Sequence, residues 1–174
     1  MIAIRTLLTL TLLLGVGYPL AVTGLAQLLF PWQANGSQLV DKDNRPMGSA
    51  LLAQQFERTD YFHSRPSASD FTTVGGGGSN LGMSAPQRHD FAGQQAGTAR
   101  ALSPSLLTRS GSGLDPHLPL DAVLSQVNRV AQARALDPAR LTALVKSRVE
   151  AGILGPQVIN ILELNLALDK EKDA

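Results

Sequence analysis

Four sets of residues in this chain are of types that could do chemistry. The run Ser110-Gly111-Ser112-Gly113-Leu114-Asp115-Pro116-His117 holds a serine, an aspartate and a histidine, the types that build hydrolytic sites. Their adjacency in sequence does not place them in triad geometry, and no Gly-x-Ser-x-Gly elbow surrounds the serine. Gly75 to Gly78, followed by Ser79-Asn80-Leu81-Gly82, could offer backbone amides to an anion or let another chain approach closely. It lacks the Lys-Ser/Thr ending of a phosphate loop and a preceding apolar strand, so nucleotide binding there is not expected. His63, His89 and His117 lie far apart without close-spaced partners, and no metal site or cofactor fingerprint is expected. Tyr61 and Phe62, with His63 and Arg65 ahead of Pro66, form an extended loop suited to partner contact or to ordinary loop packing.

The elements that position these loops begin with the run from Thr6 to Phe30, which contains no charged residue. As a helix it would reach roughly 37 Å, enough to cross a hydrocarbon core about 30 Å thick. This predicts a transmembrane anchor over residues 1–32 and a single extracytoplasmic domain over residues 33–174. The Met1 amine and Arg5 precede the run, and positive charge is preferentially kept in the cytoplasm, so the bulk of the chain is expected outside. A cleaved signal peptide is the alternative, with Gly24-Leu25-Ala26 as a small-x-small site; the protein would then be a secreted binding protein or enzyme. Signal cores hold about 7 to 15 apolar residues, whereas hydrophobicity here resumes at Leu28, Leu29 and Phe30. Pro31 is expected to stop the helix and Trp32 to sit at the membrane interface. Gly17, Ala21 and Gly24, spaced i, i+4 and i+7, share a face on which another transmembrane helix could pack closely. Pro19 frees a backbone carbonyl that needs a partner in lipid.

Arg5 is the only charged residue before Asp41, so the chain's net charge of +1 belongs to the anchor and the remainder is balanced. A balanced domain carries no electrostatic footprint for nucleic acid. The absence of cysteine leaves neither a disulfide framework nor a thiolate metal site, and aromatics at 5% limit the core.

Taken in order, Gln33 to Ser37 reads as a short polar stalk, Gln38 to Val40 as a short strand and Asp41 to Pro46 as a turn. Ser49 is placed to cap a helix with Leu52 and Phe56 on one face. Ser84 to about Leu102 reads as a surface helix around Phe91. One helix is expected from Leu120 to about Arg134, with Val123, Leu124, Val127 and Val130 on one side. Asp137 and Pro138 open a second, with Leu141, Leu144, Val145 and Val149 inward and Gly152 closing it. In QVINILELNLALDKE, ending at Glu171, Asn160 and Glu163 have capping-box spacing and predict a helix after a short strand; Lys170 to Ala174 should fray. The fold class is therefore α+β, a helical hairpin with short strands behind one transmembrane helix.

The motifs YPLAVTGLAQLLFP (Tyr18 to Pro31), QANGS (Gln33 to Ser37), GSALLAQQF (Gly48 to Phe56), YFHSRPSA (Tyr61 to Ala68), GGSNLG (Gly77 to Gly82), SGSGLDPH (Ser110 to His117) and LELNLALD (Leu162 to Asp169) occur in one order. In these the chain resembles the KdpC family, the C subunits of bacterial Kdp potassium-transporting ATPases, and departs from it at Met83-Ser84-Ala85-Pro86. The resemblance implies a non-enzymatic, single-pass subunit of the bacterial inner membrane, without cofactor. Its partners would be a potassium-conducting subunit and an ATP-hydrolysing P-type subunit. It also implies a catalytic chaperone that raises the ATPase subunit's affinity for ATP, an effect that an outside domain could exert only allosterically. Partner contacts are expected at Gly17, Ala21 and Gly24 in the anchor, at Tyr61, Phe62 and Arg65, and at Ser112, Asp115 and His117.

Overall fold

The computed structural model describes residues 1–41, 43–82, 84–87, 103–151 and 155–172. Helix α1 (Ile2–Leu29) is long and apolar enough to cross a membrane, and none of it is buried against the rest of the chain. It passes through Pro19 by widening into a π-turn over Leu13–Gly17, where the Tyr18 N–H reaches back five residues to the Leu13 carbonyl. Such a bulge is a common way to absorb a residue that cannot complete the regular ladder. Pro31 interrupts the helix as expected, then opens a further helical turn, α2 (Pro31–Ala34), because a proline fits the first helical position.

The expected polar stalk is instead a hydrogen-bonded joint. Asn35 donates to Pro31 O at 2.6 Å and exchanges amide contacts with Gln27 of α1 at 3.2 and 3.4 Å. Trp32 Nε1 donates to Gln38 O at 3.1 Å, and Ser37 N donates to Trp32 O at 3.0 Å. Strands β1 (Gln38–Val40) and β2 (Pro46–Ser49) follow as an antiparallel hairpin, with Gln38 opposite Ser49 and a bulge after Leu39.

Ser49 does not cap a helix. Its hydroxyl donates to Gly36 O at 2.8 Å, and residues 50–59 form turns and extended chain. The competing partners are tertiary: Ala50 N donates to Ser37 O and Ala53 N to Leu114 O, each at 2.9 Å, which leaves no i to i−4 ladder there. Of the helix expected from Ser84 to about Leu102, all but its first residues lies outside the described residues, as does Gly152.

The remaining elements are β3 (His117–Pro119), α3 (Leu120–Leu124), α4 (Val127–Arg134), α5 (Pro138–Ser147), β4 (Glu150–Ala151), β5 (Gln157–Asn160) and α6 (Ile161–Lys172). The sheet runs β3-β5-β4, antiparallel throughout, with His117 opposite Asn160 and Glu150 opposite Val158. The single helix expected from Leu120 to Arg134 is broken at Ser125 and Gln126, where Gln126 N bonds Val123 O in a tighter turn and the Gln126 side chain turns inward. The Asp137-Pro138 start holds, with Ala139 N donating to Asp137 Oδ1 at 3.0 Å. The strand-then-helix reading of the C-terminal segment holds too: Asn160 Oδ1 accepts from Leu162 N and Glu163 N, and the helix continues to Lys172.

The core joins Leu118, Val123, Val127 and Val130 to Leu141 and Val145 of the second hairpin helix and to Ile159, Ile161, Leu164 and Leu168 of the C-terminal segment, with Phe62 among them. The helical hairpin thus supplies half of this cluster, and β5 with α6, together with Leu118, Phe62 and Leu106, the rest.

Candidate functional site

The three conspicuous loops of the sequence, 61–71, 75–82 and 110–117, pack into one surface. Arg65 Nη2 donates to Arg109 O at 3.1 Å and to Thr108 Oγ1 at 3.3 Å, and its Nη1 lies 3.6 Å from Asp115 Oδ2. Ser110 N donates to Pro66 O at 3.0 Å. The glycines permit the third loop to close on the other two: a Cβ on Gly78 would lie 2.8 Å from Gly111 O, and one on Gly76 2.9 Å from Leu114 Cδ1. Gly113, at φ +72°, leaves no room either, since its Cβ would meet Ser69 Oγ at 2.6 Å and Gly77 O at 2.8 Å. The close approach that four consecutive glycines allow is used within the chain, backbone against backbone. Asp70 and Phe71 both hold positive φ at the rim of this surface, and the Ser67 hydroxyl accepts from Ser69 N and Phe71 N to brace the turn.

Two buried amides hold the 61–63 segment from behind. Asn165 of α6 accepts from Phe62 N and donates to Phe62 O, both at 2.9 Å. Gln126, at the break between α3 and α4, accepts from His63 N at 2.9 Å and donates to His63 O at 3.1 Å. Each amide replaces a neighbouring strand, satisfying backbone groups that would otherwise be buried unpaired. Sequence reasoning missed both residues. The available signal was an amide inside an apolar helical run, in LSQVN and in LELNLALD.

Tyr61 sits half-buried between two guanidinium groups, with Arg134 Cζ 4.8 Å and Arg58 Cζ 5.2 Å from its ring centre. Its hydroxyl donates to Asp169 Oδ2 at 2.9 Å, and Arg134 Nη2 donates to Asp169 Oδ1 at 2.8 Å. Burial, then the bond to Asp169, pushes the phenol pKa up, so it stays a neutral donor at neutral pH. Phe62, expected among the contact residues, is fully buried in the core and faces no partner in this fold. The alternation of side chains along an extended segment explains the outcome: with Tyr61 toward the rim, its neighbour must point inward.

The 110–117 loop brings together some of its predicted residues and separates others. Asp115 Oδ1 accepts from His117 N at 3.0 Å and lies 3.8 Å from His117 Nδ1, while His117 Nε2 lies 3.8 Å from Glu150 Oε2 on β4. The His117 ring is the main cause holding the Asp115 carboxyl below its ordinary range, and Asp115 in turn is the main cause raising His117, with Glu150 adding to it. Ser112 is exposed and its hydroxyl accepts from Leu114 N, so it serves the turn. His63 is turned the other way: burial lowers its pKa, and its Nε2 lies 3.0 Å from Arg58 O. Among the described residues no group of three His, Asp or Glu side chains is placed to hold a metal ion.

In α1, Gly17, Ala21 and Gly24 are all exposed, and the space a Cβ would take at Gly24 is open. Among the described residues none covers that face.

The sequence profile of the KdpC family, described as the K+-transporting ATPase c chain, matches residues 1–170. A potassium-transporting ATPase KdpC subunit of Pseudomonas aeruginosa is 47% identical over 171 residues, 95% of this chain and 93% of the relative. One from Pseudomonas putida is 47% identical over 173 residues, covering 97% and 94%. One from Pseudomonas syringae pv. tomato is 44% identical over 173 residues, covering 97% and 91%.

Proposed function

The chain belongs to the KdpC family and is a membrane subunit of the Kdp potassium-transporting ATPase complex; from that premise we propose that it is a non-catalytic accessory subunit acting by contact. Residues 1–32 are the anchor, with the N-terminus in the cytoplasm of the bacterial inner membrane, and residues 33–174 form one domain outside. The observation that carries this reading is the fusion of loops 61–71, 75–82 and 110–117 into one braced surface through Arg65, Asp115 and the interlocked glycines. The Arg65 Nη atoms, Asp115 and the Ser112 hydroxyl are engaged in shaping loops, which favours docking over covalent chemistry. The exposed face of Gly17, Ala21 and Gly24 supports packing on a partner transmembrane helix.

The partner for the loop surface is the outer face of the potassium-conducting subunit, whose entrance it holds in one arrangement. Tyr61, Arg65, Ser112, Asp115 and His117 make the contact, while Phe62 supports it from the core. Tethering by the anchor raises effective concentration, so modest contacts suffice. Any rise in the ATP-hydrolysing subunit's affinity for nucleotide passes through this contact as allosteric coupling, a chaperone role exerted without direct binding of ATP.

The test removes the domain while keeping the anchor, in the assembled complex. Uptake at low potassium or assembly should fall, and alanine at Tyr61 and Arg65 should reproduce part of the loss. Normal assembly and uptake without the domain would leave the anchor as the working part. N-terminal sequencing of the mature chain separates this reading from a secreted protein with a cleaved leader, which would lack residues 1–26.

A further inference from the structure

Outside the anchor and Trp32, the described residues include four exposed large apolar side chains: Val40 at 45%, Met47 at 42%, Leu51 at 61% and Val74 at 87%. Three of the four fall within the β1–β2 hairpin and the turn that leaves it. That hairpin is the part of the domain joined directly to α1. Trp32 Nε1 reaches Gln38 O, Ser37 N reaches Trp32 O, Ala50 N reaches Ser37 O, and the Ser49 hydroxyl reaches Gly36 O. Leu51 therefore follows a residue hydrogen-bonded to the joint, and Val40 stands two strand positions from Gln38, roughly 7 Å. The bulge after Leu39 sets Val40 opposite Pro46 and leaves Met47 unpaired beside it. Gly48 faces the domain, since a Cβ there would lie 3.1 Å from Leu162 Cδ2 of α6, and Val40 stands at the margin, where it and Leu39 line a shallow concavity with Arg148, Glu163 and Lys170.

We propose that the exposed side of the β1–β2 hairpin, carrying Val40, Met47 and Leu51, lies in the headgroup layer of the bilayer beside Trp32, so that phospholipid is the partner of this surface. Each interfacial layer is roughly 5 to 8 Å deep, comparable to the reach of the hairpin from the joint. Indole and scattered aliphatic side chains are the composition that such a layer accepts. The joint makes this a fixed placement: a flexible stalk would let the apolar positions turn anywhere, whereas the Gln27–Asn35 amide pair and the Trp32 bond tie the hairpin to the end of the helix. The inference rests on α1 spanning the membrane and holds for either orientation of the chain.

The chain has no cysteine, so single labels can be placed without background. Val40→Cys, Met47→Cys, Leu51→Cys, Val74→Cys and Leu20→Cys would each carry a nitroxide in the full chain in phosphatidylglycerol-containing liposomes, then in the assembled complex. Collision with oxygen, which concentrates in lipid, is compared with collision with a water-soluble nickel chelate. The expected result is an oxygen-to-nickel ratio at positions 40, 47 and 51 below that at 20 in both preparations, and several-fold above that at 74 in the chain alone, where position 74 is uncovered. A ratio at 40, 47 and 51 equal to that at 74 in the chain alone overturns the placement. Loss of access to both reagents on assembly overturns it too, because a protein subunit would then cover the hairpin. A water-like ratio at position 20 would instead overturn the anchor, and this inference with it.

Discussion

Helices α1 and α6 are both rich in leucine, yet one buries nothing and the other buries almost every apolar side chain it has. In α6, Ile161, Leu162, Leu164, Ala167 and Leu168 enter the core, and two of its polar residues have partners within the chain: Asn165 on the Phe62 backbone, Asp169 on Tyr61 and Arg134. In α1, by contrast, no residue is buried, and the small-residue face and the π-turn before Pro19 meet no other element among the described residues. Leucine content thus says little about where a helix belongs. The interspersed polar groups decide, because an amide or carboxylate in α6 is tolerable only beside its partner, and a helix without charge over about 30 Å is tolerable in lipid.

The sharpest way to break this comparison is Asn165→Ala. It strands the Phe62 N–H and carbonyl in the core, and the full chain in detergent should lose about 3 kcal/mol of stability in a denaturant titration. An unchanged midpoint would mean that the clip on the 61–63 segment is dispensable. The counterpart in α1 is Gly17→Leu with Ala21→Leu. The chain alone should melt as before, since no described residue packs on that face, but bulk inserted between two helices costs roughly 1 to 3 kcal/mol and should weaken the assembled complex about tenfold or more. Copurification undiminished by the double change would show the face meeting lipid only.

The smallest effect is a pH dependence at His117 on β3, whose ring reaches Glu150 of β4 across the intervening β5. His117 has its pKa raised by Asp115 first and Glu150 next, so the stability it adds is present below its ordinary value of about 6.5 and is lost as pH rises through the higher folded value. Asp115 is shifted the opposite way, so its contribution is present above about pH 4 and is lost as pH falls through its depressed folded value. The difference in melting temperature between the parent and His117→Gln should therefore be greatest in weakly acidic buffer and shrink toward pH 8. A constant difference across that range would show the pair to be screened by solvent.

Sequence alone was enough for whatever depends on local chemistry. The long apolar helix α1 follows from the uninterrupted apolar length up to Phe30, the start of α5 from Asp137-Pro138, and the start of α6 from the Asn160 and Glu163 spacing. Each is set by groups within a few residues of one another. The family, too, was legible, because long motifs kept their order along the whole chain.

Tertiary structure decided what depends on distant groups. Ser49 lost its helix to carbonyls at positions 36 and 37 and to Leu114, and the stretch from Leu120 to Arg134 broke where Gln126 left its helix face for the His63 backbone. Phe62 went inward because Asn165, far along the chain, holds its backbone at that register. The three loops became one surface only when Gly76, Gly78 and Gly113 let backbones touch. Hydrogen bonds and contacts across such separations leave no periodicity in the sequence, since the partner's position is set by the packing of the core and not by the spacing of residues along the chain.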